Sequence, residues 1–210
     1  MAFQDIAVVD RFTRTAKNRQ SGFTLIELMV VVVIVGILAL IAATSLKGTS
    51  DPANATAVRS VGQDLTHAIG YIHANLGTGL SATTNALPVS GQTMLDVLVM
   101  GVSSVNSTYQ NAFSRIGVRT LEGNIRVVSR PNGQTPGSYT VNSYPISFVS
   151  CATGYVCTRF DNVPSSTVQE LAAKAGITNF APGTAQTTGS TQYTAADSSG
   201  QHSVTLQLMP

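Results

Sequence analysis

The segment from Phe23 to Leu46 is the feature that most limits how this chain can fold. Between Leu28 and Ala43 it contains no charged and no strongly polar residue. As a helix the segment would measure about 36 Å, and the hydrocarbon core of a bilayer is about 30 Å thick. Its many valines favour strands in water, but in lipid a single segment satisfies its own backbone groups only as a helix. The sequence therefore predicts a membrane-spanning helix.

Basic residues are concentrated before this run. Residues 1–22 contain Arg11, Arg14, Lys17 and Arg19 against two aspartates, while the rest of the chain is neutral overall. Because positive charge is retained on the cytoplasmic side, we expect residues 1–22 to stay in the cytoplasm and the C-terminal part to be exported. The neutral body has no basic stripe, so no nucleic-acid partner is predicted.

Glu27 is the one acidic residue in the run. A charge at the centre of a spanning helix costs about 2.5–3.5 kcal/mol on insertion scales. Three kinds of segment compete: a secretory signal cut near Thr44, a plain anchor helix, and a helix retained after cleavage on its N-terminal side. A signal core rarely begins with a glutamate, and a plain anchor leaves Glu27 unexplained.

The third kind is supported by a resemblance. The residues SGFTLIELMVVVVIVGILALIA, starting at Ser21, closely resemble the N-terminal signature of type IV prepilins and their relatives. In that family a membrane peptidase cuts after the glycine and methylates the new N-terminal residue. The resemblance implies that residues 1–22 are removed by cleavage between Gly22 and Phe23, and that Phe23 is methylated. The glutamate four residues after the new terminus matches Glu27.

The resemblance also suggests a partner for Glu27. An α-amine has a reference pKa of about 7.7–8.0, so the amine created at Phe23 is largely cationic at neutral pH. In a filament of staggered helices, we expect Glu27 of one subunit to pair with the Phe23 amine of a neighbour. Breaking one side of a buried pair costs about 3–5 kcal/mol, which would reject a subunit docked out of register. The alternative is that the carboxylate merely reaches the lipid headgroups.

Gly36 is the expected point of flexibility in this helix, because glycine weakens a helix in water. Many pilins have a proline about two turns past this glycine, and their helix is thought to loosen between the two in the filament. Thr44 stands where that proline is often found. Whether this helix loosens on assembly is therefore left open by the sequence.

A second, one-sided helix is predicted after the apolar run. Ser50 or Asp51 is expected to cap it and Pro52 fits its first turn, so a kink is expected near Pro52. Apolar residues then recur at three- and four-residue spacing, which indicates one buried face: Val58, Val61, Leu65, Ala68, Ile69, Ile72 and Leu76. We expect a helix that is hydrophobic over residues 23–51 and amphipathic over residues 52–76, ending at the glycines of 77–79.

Residues 77–210 are predicted to form a globular head. Short helices are expected in TMLDVLVMG and NSTYQNAFSRIG, and strands over residues 123–160, interrupted by the turn RPNGQTPG. In NVPSSTVQELAAKAG we expect a helix with Ser165 or Ser166 as its cap, Gln169 or Glu170 as capping-box partner, and Gly176 as its end. Residues 181–201 are predicted to be an exposed loop, and HSVTLQLM a closing strand.

The predicted fold class is thus α+β, with a long N-terminal helix packed on an antiparallel sheet as in pilins. The head weakly resembles the type IVb class of pilins, because a helix follows a strand in its second half and a strand closes the chain. The phenylalanine start is more typical of the IVa class, so the class is left open.

Cys151 and Cys157 are the two cysteines of the chain and enclose only the residues ATGYV. In an exported body they predict a disulfide. A loop this small should stabilise by somewhat less than the ~3 kcal/mol of the chain-entropy model for a 15-residue loop. A free-thiol or metal role is the alternative.

We find no phosphate-binding glycine loop, no zinc-ligand spacing and no convincing nucleophile–histidine–acid set, and GQHS at residues 200–203 is interpreted as background. No enzyme activity, cofactor or metal is therefore predicted.

The predicted function is a structural pilus subunit, stored in the inner membrane and polymerised through its apolar helix into a cell-surface filament. Such a filament would serve adhesion, aggregation, motility or contact-dependent transfer. The expected partners are further copies of the chain, a prepilin peptidase and methyltransferase, an inner-membrane assembly platform and, before assembly, membrane lipid. The alternatives are a type II secretion pseudopilin, a minor pilin, and a secreted binding domain released by ordinary signal cleavage.

Overall fold

The computed structural model describes residues 24–46, 50–77, 86–118, 121, 123, 125–150 and 156–207. The chain divides into two compact units, residues 1–45 and residues 46–210. The first contains helix α1 (Leu25–Leu46), which is treated as the candidate site below.

The second unit combines helices with one sheet. Its helices are α2 (Ser50–Leu76), α3 (Met94–Met100), α4 (Ser107–Ile116) and α5 (Ser165–Lys174), with a 3-10 turn at Gly101–Ser104. Its strands are β1 (Arg126–Ser129), β2 (Ser138–Val141), β3 (Tyr144–Ser150), β4 (Val156–Pro164), β5 (Thr191–Tyr193) and β6 (Gln201–Leu206). The six strands form one sheet in the order β1-β2-β3-β4-β6-β5, and each neighbouring pair is antiparallel. The predicted α+β fold class is confirmed.

Helix α2 supplies the largest helical part of the core. The apolar stripe predicted from its sequence is buried and begins one turn earlier than expected, at Ala55. Val58, Leu65 and Ile72 are fully buried and belong to one apolar cluster with residues of the sheet and of α5. Full burial of such a side chain is worth about 1.5–3 kcal/mol. The helix restarts at Ser50, with Pro52 in its first turn, and ends before Gly77, whose φ is +63°.

Residues 181–201 were predicted to be one exposed loop. That prediction is wrong for β5, which is a strand within this range. Thr191 and Tyr193 are buried, and β5 pairs with β6. Tyr193 reaches the core and its ring lies 5.4 Å from that of Phe180. The surrounding serines, threonines and glycines concealed a strand of three residues, because its alternation is too short to stand out from a polar background.

The predicted cap of α5 is also wrong. The N-cap position is Pro164, which makes no side-chain hydrogen bond, and Ser165 is already the first helical residue. The hydroxyl of Ser165 instead lies 3.0 Å from the carbonyl oxygen of Gly200 and 2.8 Å from Nε2 of His202. The end of the helix is as predicted, since Gly176 follows it with a φ of +79°, a conformation that glycine adopts at little cost.

Asp96 is a buried carboxylate that ties α3 to the sheet. Its Oδ2 accepts from the N–H and the hydroxyl of Thr93, at 2.7 and 2.8 Å. The N–H of Asp96 donates in turn to the Thr93 hydroxyl oxygen at 3.4 Å, which completes a capping box at the start of α3. Its Oδ1 accepts from the N–H of Gly137 at 2.8 Å and from the hydroxyl of Tyr139 at 2.5 Å. A buried charge is tolerated where hydrogen bonds replace its hydration, so this set of donors allows Asp96 to lie inside the core.

We predict that this contact makes the fold sensitive to alkali. Burial first, and then the hydrogen bond to Asp96, raise the pKa of Tyr139 above its ordinary value. Because the unfolded tyrosine releases its proton near pH 10 while the folded one retains it, stability is full below that pH and falls above it. We expect the urea midpoint of the full chain to drop between about pH 9 and 11.

Two variants test the origin of this effect. Tyr139→Phe should lose most of the alkaline slope and about 1–3 kcal/mol of stability at pH 7, because Asp96 loses a donor. Tyr71→Phe, which alters a tyrosine that is 50% exposed, should keep the slope. An alkaline slope of equal size in Tyr139→Phe and in the wild type would contradict the assignment.

Candidate assembly helix

Two of the residues predicted to act in processing or assembly lie in helix α1, within the part of the apolar run that the structure describes. Glu27 and Gly36 lie within it, whereas Gly22 and Phe23, the predicted processing site, lie outside the described residues. The backbone of α1 is described throughout its length, and its side chains as far as residue 39.

The start of α1 is fixed by Thr24. Its hydroxyl oxygen accepts a hydrogen bond from the N–H of Glu27 at 3.3 Å, and its carbonyl accepts from the N–H of Leu28 at 3.2 Å. A threonine oxygen that accepts from the third helical residue satisfies one of the N–H groups that a helix end leaves free. The role of Thr24 as a helix cap was not predicted from the sequence, although Thr-x-x-Glu is the pattern of a capping box.

Glu27 therefore lies in the first turn of α1, and its side chain is exposed. The N-terminal end of a helix carries partial positive charge, which stabilises a nearby carboxylate. The position that looked unfavourable within an apolar run is thus a favourable one within the helix itself. The exposed carboxylate is available to a partner outside the chain.

As far as residue 39, where its side chains are described, α1 exposes apolar residues on every side, with Glu27 as its one charge. The large hydrophobic residues from Leu25 to Leu38 are each 50–78% exposed. A helix that is hydrophobic all round is stable only where it is covered, by protein or by lipid. The helix can therefore pack laterally against several neighbours at once.

Gly36 lies in a continuous stretch of this helix. An added Cβ at Gly36 would meet no atom of the described residues within 4 Å, so no contact among them requires a glycine there. The helical backbone also continues through Thr44, to Leu46. Loosening of the helix near Gly36 stays a prediction.

That the segment from Phe23 to Leu46 spans a membrane also stays a prediction. Within the part of the chain that the structure describes, no helix is long and apolar enough to cross a membrane.

Cys157 lies on β4 and is 1% exposed. The described residues include no free cysteine, but Cys151 lies outside them, so the pairing of Cys151 with Cys157 stays a prediction. The described residues also contain no group of three histidine, cysteine or acidic side chains that could hold a metal ion.

One side-chain cluster was missed by the sequence analysis. His202, taken there as background, is 2% exposed. Its Nε2 contacts the hydroxyl of Ser165 at 2.8 Å, and its Nδ1 lies 2.7 Å from the carbonyl oxygen of Thr194. These residues are up to 37 positions apart, and the pairing of β6 with β4 and with β5 brings them together.

A comparison with known protein families finds a match, and it covers most of α1. Residues 17–43 match the family model described as the prokaryotic N-terminal methylation motif. No curated protein and no solved structure matches the chain significantly. The chain therefore carries a type IV prepilin-like signature, which ends within α1.

This signature supports a protein of the type IV pilin or pseudopilin type. The motif is that of structural rather than catalytic proteins. It implies processing by a prepilin peptidase and assembly of the pilus kind.

We predict that the cap formed by Thr24 is needed for an ordered start of α1. Thr24→Ala should weaken the first turn by about 0.5–2 kcal/mol, because the N–H of Glu27 loses its acceptor. Hydrogen exchange at Glu27 and Leu28, measured on the full chain in detergent, should be faster in this variant. Thr24→Ser retains the hydroxyl and should exchange like the wild type. Equal rates in Thr24→Ala and the wild type would show that the cap has no effect.

Proposed function

We propose that this chain is the structural subunit of a type IV pilus. It is made as a prepilin, loses residues 1–22 by cleavage between Gly22 and Phe23, and polymerises through α1 into a surface filament. The observation that carries the proposal is α1 itself, a helix that is capped two residues after the proposed cleavage site and exposes apolar side chains on every side.

The second unit supplies the subunit's outer body. Its buried core and six-stranded sheet make it a stable head, and residues 52–76 are the amphipathic helix packed into that core. The proposed disulfide between Cys151 and Cys157 would link the two ends of the segment that connects β3 to β4.

Packing of α1 is the proposed source of cohesion in the filament. Before assembly the helix lies in the inner membrane, where lipid already covers its surface. Moving it from lipid into a bundle of helices therefore gains little from the hydrophobic effect, and the gain must come from close packing and polar contacts. The work of extraction is supplied by the inner-membrane assembly platform.

The Glu27 carboxylate is the proposed polar contact that selects the register. Its partner is the methylated α-amine of Phe23 on a neighbouring subunit, which remains able to carry a proton. A carboxylate moved into the bundle without this partner would be buried and unpaired, at a cost of about 3–5 kcal/mol. An uncleaved subunit lacks the amine, so assembly depends on prior cleavage.

Two related functions differ in where the filament forms. A type II secretion pseudopilin would build a short periplasmic filament, and a minor pilin would occupy few positions in a pilus. The serine- and threonine-rich head favours a surface filament, and Glu27 is present, whereas minor pilins often alter it. Imaging of sheared surface filaments for this polypeptide separates a pilus subunit from a pseudopilin.

We predict that the mature protein begins with N-methylated Phe23. Intact-mass and N-terminal peptide analysis of membrane and filament fractions should find this terminus, because the peptidase cuts after Gly22. Gly22→Ala should accumulate as the uncut precursor, and Ser21→Ala, next to the site, is the control. A terminus near Ser45 would instead identify a secreted domain released by ordinary signal cleavage and would refute the proposal.

We predict that Glu27→Ala is cleaved and inserted normally but enters filaments poorly. Glu27→Gln keeps the shape and hydrogen-bonding capacity but not the charge, and should fail in the same way, because the α-amine loses its counter-ion. Met29→Ala, which shortens an apolar residue of the same helix, is the control for general loss of packing. The ratio of filament to membrane protein measures the effect, and wild-type incorporation of Glu27→Gln would exclude the charge pair.

A further inference from the structure

The turn between β1 and β2, residues 130–137, contains a reactive pair of residues. Asn132 is followed by Gly133, and no other asparagine of the chain precedes a glycine. The backbone nitrogen that follows an asparagine can attack the asparagine's own side-chain carbonyl and displace ammonia. Because glycine has no Cβ, the nitrogen of Gly133 is the least hindered of those that follow an asparagine in this chain.

The reacting groups of this pair are open to solvent. Asn132 and Gly133 are both exposed. Within the described part of the chain, no hydrogen bond engages the side chain of Asn132 or the N–H of Gly133. An exposed N–H can give up its proton to water or hydroxide, which makes the nitrogen a nucleophile.

Two asparagines that precede serine provide a comparison within the same chain. Asn106 is the N-cap of α4, and its Oδ1 accepts from the N–H of Thr108 at 3.1 Å. Asn142 donates from its Nδ2 to the side chain of Asn54 at 3.1 Å. Both side-chain amides are engaged, and the nitrogen that follows each belongs to a residue with a Cβ. We therefore expect both to react much more slowly than Asn132.

A two-residue turn restrains the reaction at Asn132. The N–H of Asn132 donates to the carbonyl oxygen of Thr135 at 3.0 Å, and the N–H of Thr135 donates back to the carbonyl oxygen of Asn132 at 2.9 Å. Gly133 and Gln134 form the centre of this turn, with Gly133 at a φ of +55°, as in hairpin turns that begin with glycine. Attack closes a five-membered ring, in which the Asn132 Cβ and the Gly133 nitrogen eclipse about the Cα–C bond. That rotation turns the Asn132 carbonyl away from Thr135, so the turn must open first.

A neighbouring turn holds this one shut. The side-chain Nε2 of Gln92 donates to the carbonyl oxygen of Gly133 at 3.0 Å. The N–H of Gln92 is itself bonded to the carbonyl oxygen of Val89 at 2.9 Å, so the donor is attached to an ordered turn. A Cβ at Gly91 would collide with the carbonyl oxygen of Gln134, which shows that the two backbones are in direct contact. Opening of the turn at Asn132 therefore breaks the contact with Gln92.

We propose that Asn132 is a deamidation site whose rate is set by the opening of this turn. The Gly133 nitrogen loses its proton to water and attacks Cγ of Asn132. The new N–Cγ bond forms, the Cγ–Nδ2 bond breaks, and ammonia leaves after taking up a proton. Water then opens the cyclic imide at either carbonyl. Cleavage of the N–Cγ bond gives aspartate, and cleavage of the original peptide bond gives isoaspartate, in which the backbone runs through Cβ and Cγ.

The products change the head in two ways. Each event adds one negative charge to a chain that is otherwise neutral after residue 22. Isoaspartate also lengthens the backbone by one carbon, which no longer matches the pairing of Asn132 with Thr135. The bonds from Gly137 and Tyr139 to Asp96 lie outside the reacting pair, so the head stays folded. The chain thus acquires a charge as it ages, whether or not it forms a filament.

Peptide mapping of the full chain in detergent tests the site. After incubation in a mildly alkaline buffer made with heavy-oxygen water, Asn132 should appear as a mixture of aspartate and isoaspartate, each with one heavy oxygen. Asn106 and Asn142 should remain amides over the same time. Conversion of Asn132 that is no faster than that of Asn142, or that yields no isoaspartate, would overturn the proposal.

Three variants test the route and its control by the turn. Gly133→Ala places a Cβ in open space but hinders the attacking nitrogen, so conversion should slow sharply. Gln92→Ala frees the Gly133 carbonyl and should speed conversion about two- to tenfold, the value of one net hydrogen bond. Gln110→Ala is the matched control, because it removes a side-chain amide bonded to the carbonyl oxygen of Val105, and it should convert like the wild type.

Each variant can contradict one part of the proposal. A wild-type rate in Gly133→Ala would exclude the cyclic imide. Equal rates in Gln92→Ala and the wild type, or equal acceleration in Gln92→Ala and Gln110→Ala, would exclude control by the turn.

Discussion

The apolar surface of α1 must be covered by lipid or by protein, and the proposed storage and assembly of this chain depend on that requirement. In the proposed function, lipid covers it before assembly and other copies of α1 cover it in the filament, so the same side chains would serve two environments in turn. Because lipid and helix surface are equally apolar, the hydrophobic effect does not decide between them. The Glu27 carboxylate at the capped end of the helix can therefore strongly influence whether the helix stays in lipid or packs against other helices.

Charged residues are rare in the head, which makes the few carboxylates informative. Charged side chains make up 10% of the chain, and those that the fold uses are tied down by several donors. Asp96 holds α3 to the sheet, and Asp197 accepts from the N–H groups of Ser199 and Gln201. These two carboxylates work through hydrogen bonds from backbone or hydroxyl groups, whereas Asp161 combines an ion pair with Arg159 and a hydrogen bond from Ser203.

The parts of the fold that were predictable from the sequence have a local cause. The stripe of α2 follows from its three- and four-residue spacing, and the ends of α2 and α5 follow from Gly77 and Gly176. The parts that were not predictable depend on residues far apart in the chain. Ser165 has the composition of a helix cap, yet its hydroxyl is engaged by His202 and Gly200, which the sequence cannot place beside it. The strand β5 exists only because β6 lies next to it. Within the candidate site, the position of Glu27 was predictable, whereas the cap by Thr24 was overlooked although its pattern is local.

The order of strands in the sheet affects how the head can be built. Strand β6 lies between β4 and β5, although it follows both in the chain. Until residues 201–206 arrive, β4 lacks a neighbour on one side and β5 has no place in the sheet. Phe160 and Val163 of β4 lack their cross-strand neighbours Val204 and His202 for the same time. In the proposed export of this chain, β4 therefore presents an unpaired strand edge until residues 201–206 have crossed. Such an edge can pair with other chains, so the exporting cell would have to keep it away from neighbouring molecules until then.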